Sequence, residues 1–169
     1  MSFASRSDLL ARSSARRLGQ LAVPTDAVMP PEEALRVAID GGSLAAYTAD
    51  EQAALTLALD AVDKALADAD ALILSYGIPA APQTTQAALS QLARMSSTVA
   101  LFYLQGTERM TDTVQKAYDG VIAMLKSHKR GESDLVPPLV ASALPEDQVL
   151  FDAPVRRYGK TASAVPSDW

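Results

Sequence analysis

Apolar residues along this chain recur mostly at alternating intervals of three and four, the period of a helix with one buried side. The longest run passes from Leu55 through Leu59, Val62, Leu66, Ala69 and Ile73 to Tyr76 without a break. Thr48 and Glu51 precede it, three apart, a capping box in which hydroxyl and carboxylate answer the first free amides. Gly77 comes next, where a helix turns left-handed, and Pro79 and Pro82 forbid continuation. The pattern predicts one long helix over 48–76, about 42 Å at 1.5 Å per residue. That is more than a compact core for this chain requires. A continuous seam packs lengthwise against partners, so Leu55, Leu59, Val62, Leu66 and Ile73 are candidate interface residues.

Shorter patterns surround it. Ser5 and Asp8 have the spacing of a second capping box and open a first helix, with Leu9, Leu10, Ala15, Leu18 and Leu21 on its apolar side. Pro24 and Pro30-Pro31 interrupt the chain after this helix, and Glu32 to Asp40 reads as a short helix ended by Gly41-Gly42. A third main helix is expected from Thr84 or Thr85 to just before Gly106, carrying Leu89, Leu92, Met95, Val99 and Phe102. A fourth runs from Thr111 or Asp112 to Gly131, with Val114, Tyr118, Val121, Ile122 and Leu125 on one face and Lys126, Lys129 and Arg130 at its negative end. No internal repeat of fixed period is present.

The periodicity stops at Gly131. Pro137-Pro138 and Pro145 punctuate the rest, and the β-like run Val149 to Val155 is demoted to an edge or extended arm by Pro154. The expected fold class is all-α: a small bundle of about four helices with one long central helix and an extended C-terminal arm. The organisation is a helical domain, 1–131, followed by an arm, 132–169, ordered on assembly. A tail of small polar residues is ordinarily disordered. Phe151, Val155, Arg156, Arg157, Tyr158 and Trp169 make this one more apolar and more basic than an idle tail needs, which points to docking on another surface.

Composition narrows the function classes. The chain has 169 residues, enough for one domain, and 49% hydrophobic residues, much of that share alanine, with 5% aromatics. Alanine-rich, aromatic-poor chains build cores by close helix packing. A net charge of −5 argues against phosphate-backbone affinity as the main business. There is no Cys, hence no disulfide and no thiolate metal site. No stretch approaches the roughly 20 apolar residues of a membrane helix. The Arg- and Ser-rich N-terminus lacks an apolar signal core; it has the look of a transit peptide, but fits a folded first helix better.

Candidate chemistry is sparse. His128, the one histidine, sits in the last turn of the fourth helix beside Lys129 and Arg130, where a surface residue favouring the helix end is the simplest account. Asp60, Asp63, Asp68 and Asp70 are scattered around the long helix instead of being stacked as metal ligands, and read as a solvated acidic face. Gly41-Gly42-Ser43 lacks the rest of a phosphate loop. Arg12, Arg16 and Arg17 suit a solvated face or an acidic partner better than nucleic acid. No cofactor and no enzymatic activity are expected.

The order of these elements resembles the head–tail connector (adaptor) family of Mu-like tailed bacteriophages, from Phe3 to about Tyr158. The matching residues are Phe3, Ser5, Asp8-Leu9, Arg12 and Leu18; then Ala67, Ala69, Ile73, Tyr76 and Pro79 at the end of the long helix. Leu92-Ala93, Ala100, Phe102 and Leu104 match in the third helix, then Tyr118-Asp119, Leu125 and Gly131, and finally Val155, Arg156 and Tyr158. Departures exist: Gly77-Ile78 replaces an Arg-Tyr pair, Ser14 a glycine and Arg17 an acid, and the loop over 24–47 is long. The resemblance implies a structural virion protein of the neck, made in the host cytoplasm, docked beneath the portal protein and next to a tail-completion or tail-terminator protein. It also implies a homo-oligomeric ring of about twelve subunits through which DNA passes without specific binding. The first helix and the C-terminal arm are expected to make the contacts between proteins. The alternatives are a stand-alone bacterial helical adaptor or regulator, which would be a stable monomer or dimer with no affinity for portal, and an enzyme, which would need a deep pocket lined by perturbed acids.

Overall fold

A computed structural model describes residues 2–24, 27–106 and 109–139. It holds six helices: α1 (Arg6–Arg12), α2 (Ala15–Ala22), α3 (Glu32–Ile39), α4 (Ala49–Ser75), α5 (Gln86–Gln105) and α6 (Asp112–Lys129). Among the described residues the β pairing is an isolated bridge between Thr84 and Pro138. The all-α reading and the long central helix are borne out.

Both predicted capping boxes form. Ser5 accepts from the Asp8 amide while the Asp8 carboxylate takes the Ser5 amide at 2.7 Å. Thr48 and Glu51 do the same at the start of α4. The start of α5 is settled in favour of Thr85, whose hydroxyl accepts from the Ala88 amide, while Thr84 turns away to another task. α4 ends where expected, with Gly77 at φ +96, a conformation a side chain would strain.

The single first helix expected from Ser5 is in fact two. Ser13 is extended, and Ser14 caps a new helix by accepting from the Arg17 amide at 3.2 Å. Helical phase explains the break. Leu9 and Leu18 are nine residues apart, about half a turn out of phase at 3.6 residues per turn. One straight helix would point them to opposite sides. Broken at the two serines, where the Ser14 hydroxyl takes a backbone amide and starts a new helix, the segment buries both leucines completely.

α4 and α5 form the main packed pair, α6 lies on α5, and the short helices α1, α2 and α3 cover the rest of α4 and α5. The core joins Leu9, Leu18, Leu35, Leu55, Ile73 and Leu92, all at most 1% exposed. After α6 the chain does not leave at once. Leu135 is buried, and Thr84 donates its hydroxyl to the Pro137 carbonyl at 2.6 Å. Residues 132–139, read from the sequence as the start of the arm, therefore sit on the helices. Val140 to Trp169 lie outside the described residues.

Two faces of α4 give opposite expectations for truncation. Ile73→Ala empties a site with no exposure and is expected to cost about 2–5 kcal/mol. Leu57→Ala, on the outward side at 49% exposed, is expected to stay within about 0.5 kcal/mol. Urea unfolding followed by far-UV circular dichroism checks both.

Candidate interaction surfaces

The seam proposed for partners lies within the chain's own core. Leu55, Val62 and Ile73 are fully buried, Leu66 nearly so, and Leu59 is half-buried against the same cluster. The arm residues Phe151, Val155, Arg156, Arg157, Tyr158 and Trp169 fall outside the described residues. The surface α4 offers to another molecule is its outward side, where Leu57 and Leu74 are exposed.

The acids of α4 do not all share a solvated face. Asp60, Asp63 and Asp68 are exposed, but Asp70 is 8% exposed. A carboxylate so placed needs donors, and three groups supply them from two directions. Ser96 of α5 donates to Oδ1 at 2.7 Å, and the Phe3 amide donates to Oδ2 at 3.2 Å. The Ser2 hydroxyl lies 2.7 Å from Oδ2 and also within reach of the Ala4 carbonyl. One side chain thus joins α4, α5 and the N-terminal segment. About two turns earlier, Asp63 takes both arms of the Arg6 guanidinium, Nε at 2.7 Å and Nη2 at 2.5 Å. The bond to Arg6 holds the Asp63 carboxyl below the usual carboxylate range, although burial opposes it. Asp8 is lowered likewise by its hydrogen bonds to Ser5.

A groove of about 740 Å³ opens between α5 and α6, closed at one side by the end of α1. Met95 and Val121 are buried in its floor and Met124 stands 46% exposed. Arg12, Arg94 and Lys116 line it; Asp8 and Asp112 stand one helical turn before Arg12 and Lys116, but none of the three cations is in an ion pair among the described residues. The sequence carried a faint signal of this site: Lys116, Gly120 and Met124 repeat every four residues, alongside the core face of α6. The helical pattern drew attention to buried positions, and this repeat lies on the side it leaves out.

A second cleft, about 560 Å³, lies between α2 and the start of α6, with Arg17 and Arg109 on its rim and Val23 and Met29 within it. Here the basic residues hold the fold together. Arg109 donates to the Gln20 carbonyl, and the buried Gln105 amide, turned to suit its neighbours, accepts from Arg17 at 3.2 Å and donates to the Arg109 carbonyl. His128 is half-buried, its Nδ1 lying 3.2 Å from the Ser133 carbonyl and 3.4 Å from the Leu135 amide. It is fastened to the turn after α6. Among the described residues no helix is long and apolar enough to cross a membrane, and no group of three or more His, Asp or Glu is placed to hold a metal ion.

Asp70→Ala removes the shared acceptor and is expected to cost about 2–4 kcal/mol, since bonds to a charged group are each worth about 1.5–3 kcal/mol. Ser96→Ala leaves the donors at Oδ2 in place and is expected to cost about 1.5 kcal/mol, the low end of that range; thermal unfolding measures both. The depressed carboxyls of Asp8 and Asp63 stabilise the fold fully above the unfolded carboxylate pKa of about 4. Their contribution disappears as pH falls through the lower folded values. Asp63→Asn is therefore expected to flatten the acid limb of a stability-against-pH curve, modestly because the pair is exposed.

A family model described as Bacteriophage Mu, Gp36 matches residues 3–150. That span is most of the 169-residue chain, and the chain belongs to this family. No curated protein matches it.

Proposed function

We propose that this member of the Mu Gp36 family is a structural protein of the virion neck, a head–tail connector. Its subunits form a ring beneath the portal at the capsid vertex, and DNA passes through the lumen. The observation that carries the reading is the family match over residues 3–150, which spans every helix described. The physics is compatible with it. A net charge of −5 suits a channel along which a duplex must slide, because acidic walls repel phosphates instead of binding them. The helical unit is braced by buried hydrogen bonds at Asp70, Gln105 and Thr84, a construction that keeps a small subunit rigid under load.

In this reading the partners are the portal protein on one side, a tail-completion or tail-terminator protein on the other, and further copies of the chain. The segment from Val149 to Trp169 makes the contact with the portal or with an adjacent subunit.

A nonsense mutation in the gene is expected to yield DNA-filled heads and free tails that do not join, both visible by electron microscopy of the lysate. Deleting Pro154 to Trp169 is expected to give the same phenotype and to abolish co-purification with portal. Joined, infectious particles from the deletion would remove the arm from the interface, and joined particles from the nonsense mutant would overturn the connector assignment.

A further inference from the structure

Two surfaces of the helical unit are complementary and remain unfilled by the chain's described residues. The α5–α6 groove presents three cations around an apolar floor. The outward side of α4 presents the converse in its N-terminal half. Leu57 is 49% exposed there, with Ala53 a turn before it and the exposed carboxylates of Asp50 and Asp60 to either side. No cation joins this face until Lys64. Asp8, the acid one turn before Arg12 in α1, is occupied at the Ser5 cap.

The two surfaces cannot meet within one molecule. Ser96 donates to Asp70, so α4 lies on the Ser96 side of α5. Arg94 and Thr98, two residues to either side of Ser96, are about 200° away around the helix, and they open into the groove. On α4, Leu57 is exposed, like Thr56, between the buried Leu55 and Ala58, and it points away from the packed pair. The groove also has room for a second helix. Small residues, Ala87, Ala117 and Gly120, line it, and a side chain added at Gly120 would meet nothing within 4 Å.

We propose that the α5–α6 groove of one copy receives the N-terminal half of α4 from a second copy. Leu57 seats against Met124, and Asp50 and Asp60 face Arg94 and Lys116. The contact joins different patches on the two copies, so it is heterologous. Repeated around an axis, such a contact closes into a ring or continues as a filament. The inference rests on the ring in the connector reading and names the surfaces that build it.

The native chain has no cysteine, which makes crosslinking clean. The double variant Leu57→Cys with Met124→Cys, treated with a short bismaleimide, is expected to give a ladder of covalent multimers on a denaturing gel. An equimolar mixture of the two single variants is expected to stop at the dimer, and either single variant alone to stay monomeric. A Leu57→Cys dimer formed without its counterpart would show a symmetric contact and overturn the proposal. Charge exchange supplies a second arm. Arg94→Glu with Lys116→Glu, and Asp50→Lys with Asp60→Lys, are each expected to lose self-association in sedimentation velocity, and their equimolar mixture to regain it. Reversed grooves that still assemble, or that lose only affinity for nucleic acid or for another protein, would overturn the inference. Wild-type chain that binds portal yet shows no self-association would also overturn it, while leaving the neck assignment standing.

Discussion

A carboxylate in the middle of a long helix, 8% exposed, constrains everything around it. Asp70 can be buried only while donors reach it, and those donors come from α5 and from the first residues of the chain. The bond to Ser96 fixes how far α5 slides along α4. The bond to the Phe3 amide fixes where the N-terminal segment lies, and with it the direction in which α1 leaves. Apolar packing alone is tolerant of small shifts between alanine-rich surfaces. A buried charge is not, because a shifted neighbour leaves it without partners at a cost of several kcal/mol. The Arg6–Asp63 pair extends the same attachment towards the surface, with less at stake in each bond.

The length of α4, 27 residues and about 40 Å, takes its meaning from what covers it. The seam that looks like an invitation to a partner is consumed by α5 and by the short helices α2 and α3. What remains for other molecules is a thinner outward stripe. Exposed leucines there are few, and they stand among carboxylates. Carboxylates around an exposed leucine disfavour contact with surfaces of like charge, so such a stripe discriminates between partners by charge.

Much of the fold was legible because caps and periodicity agree. Thr48 with Glu51, Gly77, and the spacing from Leu55 to Ile73 set the bounds of α4 to within a residue. The split at Ser13 was illegible as long as Leu9 to Leu21 was read as one stripe; the half-turn between Leu9 and Leu18 was the available clue. Asp70 passed for a surface acid because its partners, Ser2, Phe3 and Ser96, are distant in sequence. Long-range hydrogen bonds leave no periodic trace. The interaction surfaces were harder for a related reason. Hydrophobic pattern reports what is buried in the chain's own core, and Arg12, Arg94 and Lys116 converge only after three helices have packed.

The break at Ser13 and Ser14 leaves two helices of 7 and 8 residues, each too short to persist in water on its own. Their order is borrowed from the surfaces they lie on, so they belong to the weakest cooperative unit of the molecule. Amide hydrogens in α1 and α2 should exchange through local opening long before those of α4 and α5, and the latch at Asp70 sets how often that opening occurs. Detaching the N-terminal segment takes from Asp70 the donors of Ser2 and Phe3 and leaves it the one from Ser96.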